Sequence, residues 1–112
     1  MKRIIGVIRE EKLDDVKQAL SEINCNGMNI SEIRGRGSQI GIKQQYRGSN
    51  YCEDLIPKTR VELIVKDEDM DKVVNTILES ARTGDVGDGK LFISDVVEVI
   101  RIRTGERGDD AV

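Results

Sequence analysis

The chain has 112 residues, room for one compact domain, and its 18 basic and 21 acidic side chains nearly cancel to a net charge of −3. Charged residues make up 35% of it, above the roughly 25% of average globular domains, yet their balance argues against a nucleic-acid binder driven by bulk positive charge and against an acidic disordered tail protein. Histidine is absent, which excludes histidine-based triads, histidine metal sites and imidazole switches.

In chain order, the first signal is a β-branched run, Ile4, Ile5, Val7 and Ile8, interrupted by Gly6, and it reads as a strand. From Glu10 the period changes. Leu13, Val16, Ala19, Leu20 and Ile23 recur at three- and four-residue steps, so one face of a helix is apolar, and Glu10 and Glu11 complement the dipole near its start. Asn24 to Gly27 ends that helix, and Met28 to Arg34 reads as a second strand. Gly35 to Lys58 has no sustained period, holds both tyrosines (Tyr46 and Tyr51), and from Arg34 to Arg60 the chain carries six basic residues against two acidic. Such a segment in so small a domain suits contact with an anion or a partner; a solvated flexible loop is the competing reading. Val61, Leu63 and Val65 alternate with Glu62 and Ile64 in a third strand. Asp67 is then expected to cap a helix with an apolar stripe at Met70, Val73, Val74, Ile77 and Ala81, which exits at Arg82 and a left-handed Gly84. Leu91-Phe92-Ile93, followed by Val96 to Arg103, supplies the final β segment.

The two helical stripes repeat at a constant offset of 57 residues, 13 matching 70, 16 matching 73 and 20 matching 77. A strand–helix–strand unit used twice predicts one α+β domain over residues 1–112, a ferredoxin-like double split βαβ with a four-stranded antiparallel sheet and both helices on one face. Adjacent apolar pairs, Ile4/Ile5, Leu63/Ile64 and Val96/Val97, point to opposite faces, so the second face is expected to be buried in a homo-oligomer. No stretch reaches the roughly 18–20 apolar residues of a membrane span and no signal-peptide core follows Met1-Lys2-Arg3, so a cytoplasmic protein without membrane insertion is expected. Cys25 and Cys52 lack C-x-x-C spacing and read as free thiols.

Two patterns carry chemistry. Thr83-Gly84-Asp85-Val86-Gly87-Asp88-Gly89-Lys90 has the glycine and lysine spacing of a P-loop, but Leu91 replaces the magnesium-binding Ser/Thr and the context is helix–loop–strand, so a P-loop fold is rejected. Its glycine-dense backbone can still form an anion nest beside Lys90, provided Asp85 and Asp88 turn their carboxylates away; an ordinary glycine turn is the competing reading. Arg101 and Arg103, two apart on an expected strand, would present both guanidinium groups on one face, suited to a polyphosphate or to pairing with acids such as Glu106. Gly35-Arg36-Gly37-Ser38-Gln39 is no dinucleotide fingerprint, since the third glycine fails and no helix follows. No nucleophile–base pair stands out, so binding and signalling is preferred over catalysis.

Taken together, these residues resemble the PII nitrogen-regulatory signal transducers, from about Lys2 to Gly105. The resemblance rests on Gly27-Met28, Gly35-Arg36-Gly37 with Gln39, Tyr46-Arg47-Gly48-Ser49-Asn50-Tyr51, Pro57-Lys58, Ala81-Arg82-Thr83-Gly84, Gly87-Asp88-Gly89-Lys90-Leu91-Phe92 and Arg101-Ile102-Arg103-Thr104-Gly105. It implies a homotrimer with inward-facing sheets, a projecting T-loop at about 37–55, a glycine-rich B-loop at about 82–90 and a C-terminal loop at about 102–112. ATP and ADP would compete for clefts between subunits, with Gly35, Gly37, Ser38, Glu62, Gly87, Asp88, Gly89, Lys90, Arg101 and Arg103 as nucleotide-binding residues. Within that set Gly87, Gly89 and Lys90 would cradle phosphates from one chain, Arg101 and Arg103 would arrive from its neighbour, and Glu62 would lie near the ribose. Gln39 would help hold Mg2+ on the nucleotide phosphates and, with Lys58 and Gly87, bind 2-oxoglutarate. The T-loop would dock on an ammonium transporter, a nitrogen-metabolism enzyme or a modifying enzyme, and Tyr51 and Ser49 would be its modification sites. Ser38 stands where many bacterial members carry a basic residue, and Asn50 where the uridylylation signature usually has a small or acidic one. Readings that compete with this one are a family member sensing adenine nucleotides without 2-oxoglutarate, a slow ATPase, and a trimeric scaffold without ligand.

Overall fold

The computed structural model describes residues 1–36 and 55–112 in full and, between them, the backbone of 42–46 and 49–53. The elements run β1 (Lys2–Ile8), α1 (Leu13–Glu22), β2 (Asn29–Gly35), β3 (Ile42–Tyr46), β4 (Ser49–Glu53), β5 (Ile56–Val65), α2 (Met70–Ala81) and β6 (Lys90–Asp95). Four strands form one antiparallel sheet in the order β2-β5-β1-β6, and β3 and β4 pair with each other in a separate two-stranded ribbon. This is the ferredoxin-like arrangement expected from the repeated strand–helix–strand unit.

Alternation along the strands selects the core. Ile4 and Ile8 of β1 and Val61, Leu63 and Val65 of β5 turn to one face, where they meet Val16 and Leu20 of α1 and Val73, Ile77 and Ala81 of α2. Gly6 is buried between them because a Cβ there would stand 3.0 Å from Leu91 Cδ2 and 3.1 Å from Val61 Cγ2. Those two side chains occupy the space that the missing Cβ leaves.

Four expectations are corrected. The first helix begins at Leu13, after a single 3-10 turn over Glu10–Lys12, so Glu10 and Glu11 precede the α-helix instead of opening it. Asp67 caps nothing: it opens a 3-10 turn, α2 follows from Asp69, and the Asp67 carboxylate accepts from the Met1 ammonium at 2.7 Å. A free terminal charge outcompetes backbone amides for that carboxylate, and the contact lowers the Asp67 pKa. The aperiodic stretch is shorter than it reads, since β3 and β4 pair within it and β5 starts at Ile56. Pro57 is accommodated there because β5 extends past β1, whose last pair is Ile8↔Thr59, and at that point meets only β2.

The fourth correction concerns the end of the sheet. β6 stops at Asp95; Val96 closes on the Met1 carbonyl at 3.1 Å, and the apolar run beyond it has only the isolated bridge Ile100↔Arg107. Apolar alternation there lacks a neighbouring strand among the described residues, and a strand without a neighbour leaves its backbone groups unpaired. Val97 and Ile102 consequently stand 96% and 100% exposed.

The open face of the sheet is mixed rather than uniformly apolar. Alternation brings Arg3, Arg60 and Glu62 onto the same side as Ile5, Ile64 and Phe92; Glu62 takes Arg60 Nη1 at 3.1 Å and Arg3 Nε at 3.6 Å. Reading adjacent apolar pairs detects Ile5 and Ile64 but passes over the charges two residues away. No helix among the described residues is long and apolar enough to cross a membrane.

Candidate functional site

The chain leaves α2 at Arg82, whose N–H still reaches the Leu78 carbonyl at 3.2 Å, and re-enters the sheet at Lys90. Between them Gly84, Gly87 and Gly89 take φ values of 93°, 106° and 95°, a conformation that side chains other than glycine resist. Gly89 is under a second constraint. A Cβ there would lie 1.7 Å from the Val7 carbonyl oxygen, so the loop presses directly on the β1 backbone.

Asp88 holds this loop from within. Its Oδ2 accepts the N–H groups of Thr83 at 2.9 Å and Gly84 at 2.8 Å, and its Oδ1 accepts the Thr83 hydroxyl and Arg9 Nε, the latter at 3.0 Å. The Thr83 hydroxyl, followed by the Gly84 amide, Arg9 and the Thr83 amide, holds the carboxyl far below the usual carboxylate range. Of the two carboxylates that the sequence required to turn away from an anion, that of Asp88 is engaged by the loop's own donors, while Asp85 and Asp88 both line a cavity beside the loop. Arg9 adds a second tie, Nη2 donating to the Val86 carbonyl at 2.7 Å. Lys58 of β5 donates from Nζ to the Gly87 carbonyl, and burial, then the positive charge of Arg9, lowers its pKa.

These groups line one side of a cavity of about 460 Å³ whose walls are Val7, Gly35, Arg36, Ile56, Lys58, Phe92 and residues 85–90. The position is dictated by topology. Gly35 ends β2 and Ile56 begins β5 directly opposite it, so the root of the inserted β3–β4 ribbon opens beside the glycine loop. Two lysines, an arginine and glycine-rich backbone line the hollow, together with Asp85 and Asp88.

Of the residues singled out in the sequence, Gly35, Lys58, Gly87, Asp88, Gly89 and Lys90 come together here. Gly37, Ser38 and Gln39, and the side chains of Ser49 and Tyr51, lie outside the described residues. Glu62 is on the open face, between Arg3 and Arg60, and does not line the cavity. Arg101 and Arg103 do not line it either, and they are not on a strand: Arg101 precedes a turn that contains Arg103, and Arg101 Nη1 donates to Glu106 Oε1 at 2.7 Å. The pairing with Glu106, one of the two readings left open by the sequence, is thus made within this chain. Arg36, quoted in the sequence only as part of Gly35-Arg36-Gly37, lines the site too, whereas Arg9 and Ile56 belong to the site or its support without having been singled out. Arg9 carries no local signal, because its partners Val86 and Asp88 lie 77 and 79 residues further on. Among the described residues no group of three His, Cys, Asp or Glu side chains could hold a metal ion.

Comparison with known proteins places this geometry in context. A family model described as Nitrogen regulatory protein P-II matches residues 1–106. The chain is 59% identical over 112 residues to Nitrogen regulatory protein P-II 2 of Methanothermobacter thermautotrophicus, covering 100% of this chain and 97% of that one. It is 47% identical over 112 residues to Nitrogen regulatory protein P-II 1 of Escherichia coli K12, covering both chains completely. A crystal structure of Arabidopsis thaliana PII bound to citrate superposes with a TM-score of 0.82 at 35% identity, covering 99% of this chain and 91% of that one. A glycine-lined cavity at the root of an inserted ribbon, on a ferredoxin-like sheet that the solved plant protein shares, therefore belongs to a chain of the P-II nitrogen regulatory family, whose members are signal transducers and not enzymes.

Proposed function

We propose that this chain is a cytoplasmic homotrimeric sensor that binds ATP or ADP in clefts between subunits, joins 2-oxoglutarate to Mg2+-ATP, and reports the ligand through the shape of its T-loop to an ammonium transporter, a nitrogen-metabolism enzyme or a modifying enzyme. The observation that carries this reading is the cavity of about 460 Å³ at which the glycine loop, Lys58, Lys90 and the root of the T-loop, Gly35 and Arg36, converge. Its donors suit phosphate and carboxylate oxygens, and the plant relative whose structure holds citrate is in keeping with a small polycarboxylate ligand. A neighbour would complete the cleft with Arg101 and Arg103, which their own chain leaves outside the cavity, and would cover the exposed Phe92, Val97 and Ile102. Mg2+ keeps several waters and commonly binds through phosphates, so the nucleotide and Gln39 would be its donors.

The signal needs little energy. A ligand shifts loop populations only by its difference in affinity for the two shapes, and a tenfold shift takes about 1.4 kcal/mol, within the reach of one charge-assisted contact. Titration calorimetry with ATP, ADP, and Mg2+-ATP plus 2-oxoglutarate tests the reading. Heat with each nucleotide and a tighter ternary complex is expected; absence of heat with any nucleotide at millimolar concentration overturns it. Nucleotide binding indifferent to 2-oxoglutarate assigns the narrower role of an adenine-nucleotide sensor.

A further inference from the structure

We infer that Arg9 is a positioning residue for the glycine-rich loop: from the end of β1 it locks Asp88 and the Val86 carbonyl in place and so keeps the loop shaped for a phosphate before any ligand arrives. The inference rests on the proposed nucleotide site, but its structural half stands on contacts within this chain.

Arg9 follows the last residue of β1 with an extended backbone, φ −63° and ψ 139°, which turns its side chain out of the sheet and toward the loop. Its side chain is 15% exposed and that of Asp88 24%, so the pair is largely withdrawn from solvent. The guanidinium uses two different nitrogens on two different acceptors, Nε on Asp88 Oδ1 at 3.0 Å and Nη2 on the Val86 carbonyl at 2.7 Å. A planar fork fixes both distances together, which an ammonium on a flexible stem cannot do. Asp88 in turn gathers Thr83 and Gly84, the first residues of the loop, while Val86 lies at its tip next to Gly87. One side chain thus connects the sheet to the start and the tip of a segment whose three glycines would otherwise sample many conformations. Ordering that segment in advance removes the conformational cost from the binding step, so losing the tie is expected to appear as lost affinity without any lost ligand contact. Arg9 does not line the cavity.

The test compares Arg9→Met, which keeps the aliphatic bulk, with Arg9→Lys, which keeps the charge and loses the fork. Two measurements are made on each full-length variant: amide hydrogen exchange across residues 83–89 without ligand, and ATP affinity by calorimetry. Faster loop exchange with core amides such as Ile4 and Leu63 unchanged, together with roughly tenfold weaker ATP binding in Arg9→Met and an intermediate loss in Arg9→Lys, is the expected result. Unchanged loop exchange in Arg9→Met overturns the inference, as does loop exchange that rises while ATP affinity stays at the wild-type level. Should Arg9→Met loosen the core as well, Arg9→Gln takes its place, with the same expectation and the same overturning result for the loop. If the wild-type protein binds no nucleotide, the proposed function fails while loop exchange still decides what Arg9 does.

Discussion

The glycine-rich loop and the C-terminal segment both carry cations that suit an anion, yet they are built in opposite ways. Residues 82–89 are tied from several sides: Asp88 gathers the loop's own amides, Arg9 and Lys58 reach in from two strands, and Gly89 rests on the β1 carbonyl. The segment from Val96 onward folds back on itself through the Ile100↔Arg107 bridge and exposed ion pairs, Arg101 to Glu106 at 2.7 Å and Arg107 to Glu98 at 3.7 Å, and leaves Val97 and Ile102 in solvent. Exposed pairs of this kind contribute little, about 0–1 kcal/mol each. The loop is complete within one chain. The arginine segment is left open on its own chain, as the proposed assembly would need.

The largest effect is expected where the loop is most constrained. Gly89→Ala would drive a methyl into the Val7 carbonyl at a positive φ, and both faults act at once. A loss of about 3 kcal/mol, or a thermal midpoint lower by roughly 10–20 °C, should follow, together with loss of ATP binding. Unfolding scans and calorimetry read the two effects separately; wild-type stability would mean that the loop does not press on β1.

Arg101→Ala combined with Arg103→Ala probes the other region. If these guanidiniums serve a neighbour's ligand, ATP affinity should fall about 10- to 100-fold while the proposed trimer elutes unchanged in size-exclusion chromatography. Dissociation of the trimer would assign the arginines to assembly, and unchanged affinity would remove them from the site.

The smallest effect sharpens the contrast by pH. The folded pKa of Asp88 lies below its ordinary value of 3.8, so its contribution is fully present above that value and is lost only as pH falls further toward the folded pKa. Carboxyl carbon shifts followed by NMR from pH 7 downward should show Asp88 still ionised where an unperturbed aspartate is half protonated. Titration at the ordinary value would mean that the loop is open in solution.

Much of this was legible in the residues themselves. The two apolar stripes 57 residues apart and the β-branched runs beside them specify the double strand–helix–strand unit, because helix and strand periods are local properties. Gly84 announces a left-handed exit for the same reason, and the structure gives Gly87 and Gly89 positive φ as well. The end of the sheet was not legible: Val96 to Arg103 has strand composition, but whether a strand forms depends on a neighbour, and β1 supplies none beyond Asp95. Asp67 has the chemistry of a cap and instead bonds to an ammonium 66 residues away.

What the sequence determined by itself is therefore the periodic part of the molecule: the order of strands and helices, the face each helix buries, and the turns that only glycine can make. What the tertiary structure alone decided is which charges meet. Arg9 with Asp88, Lys58 with Gly87, and Glu62 with Arg3 and Arg60 are pairings that sheet order creates between distant segments. Hydrophobic periodicity is read within a few residues along the chain, whereas a hydrogen bond depends on a position in space that exists only once the strands have found their register.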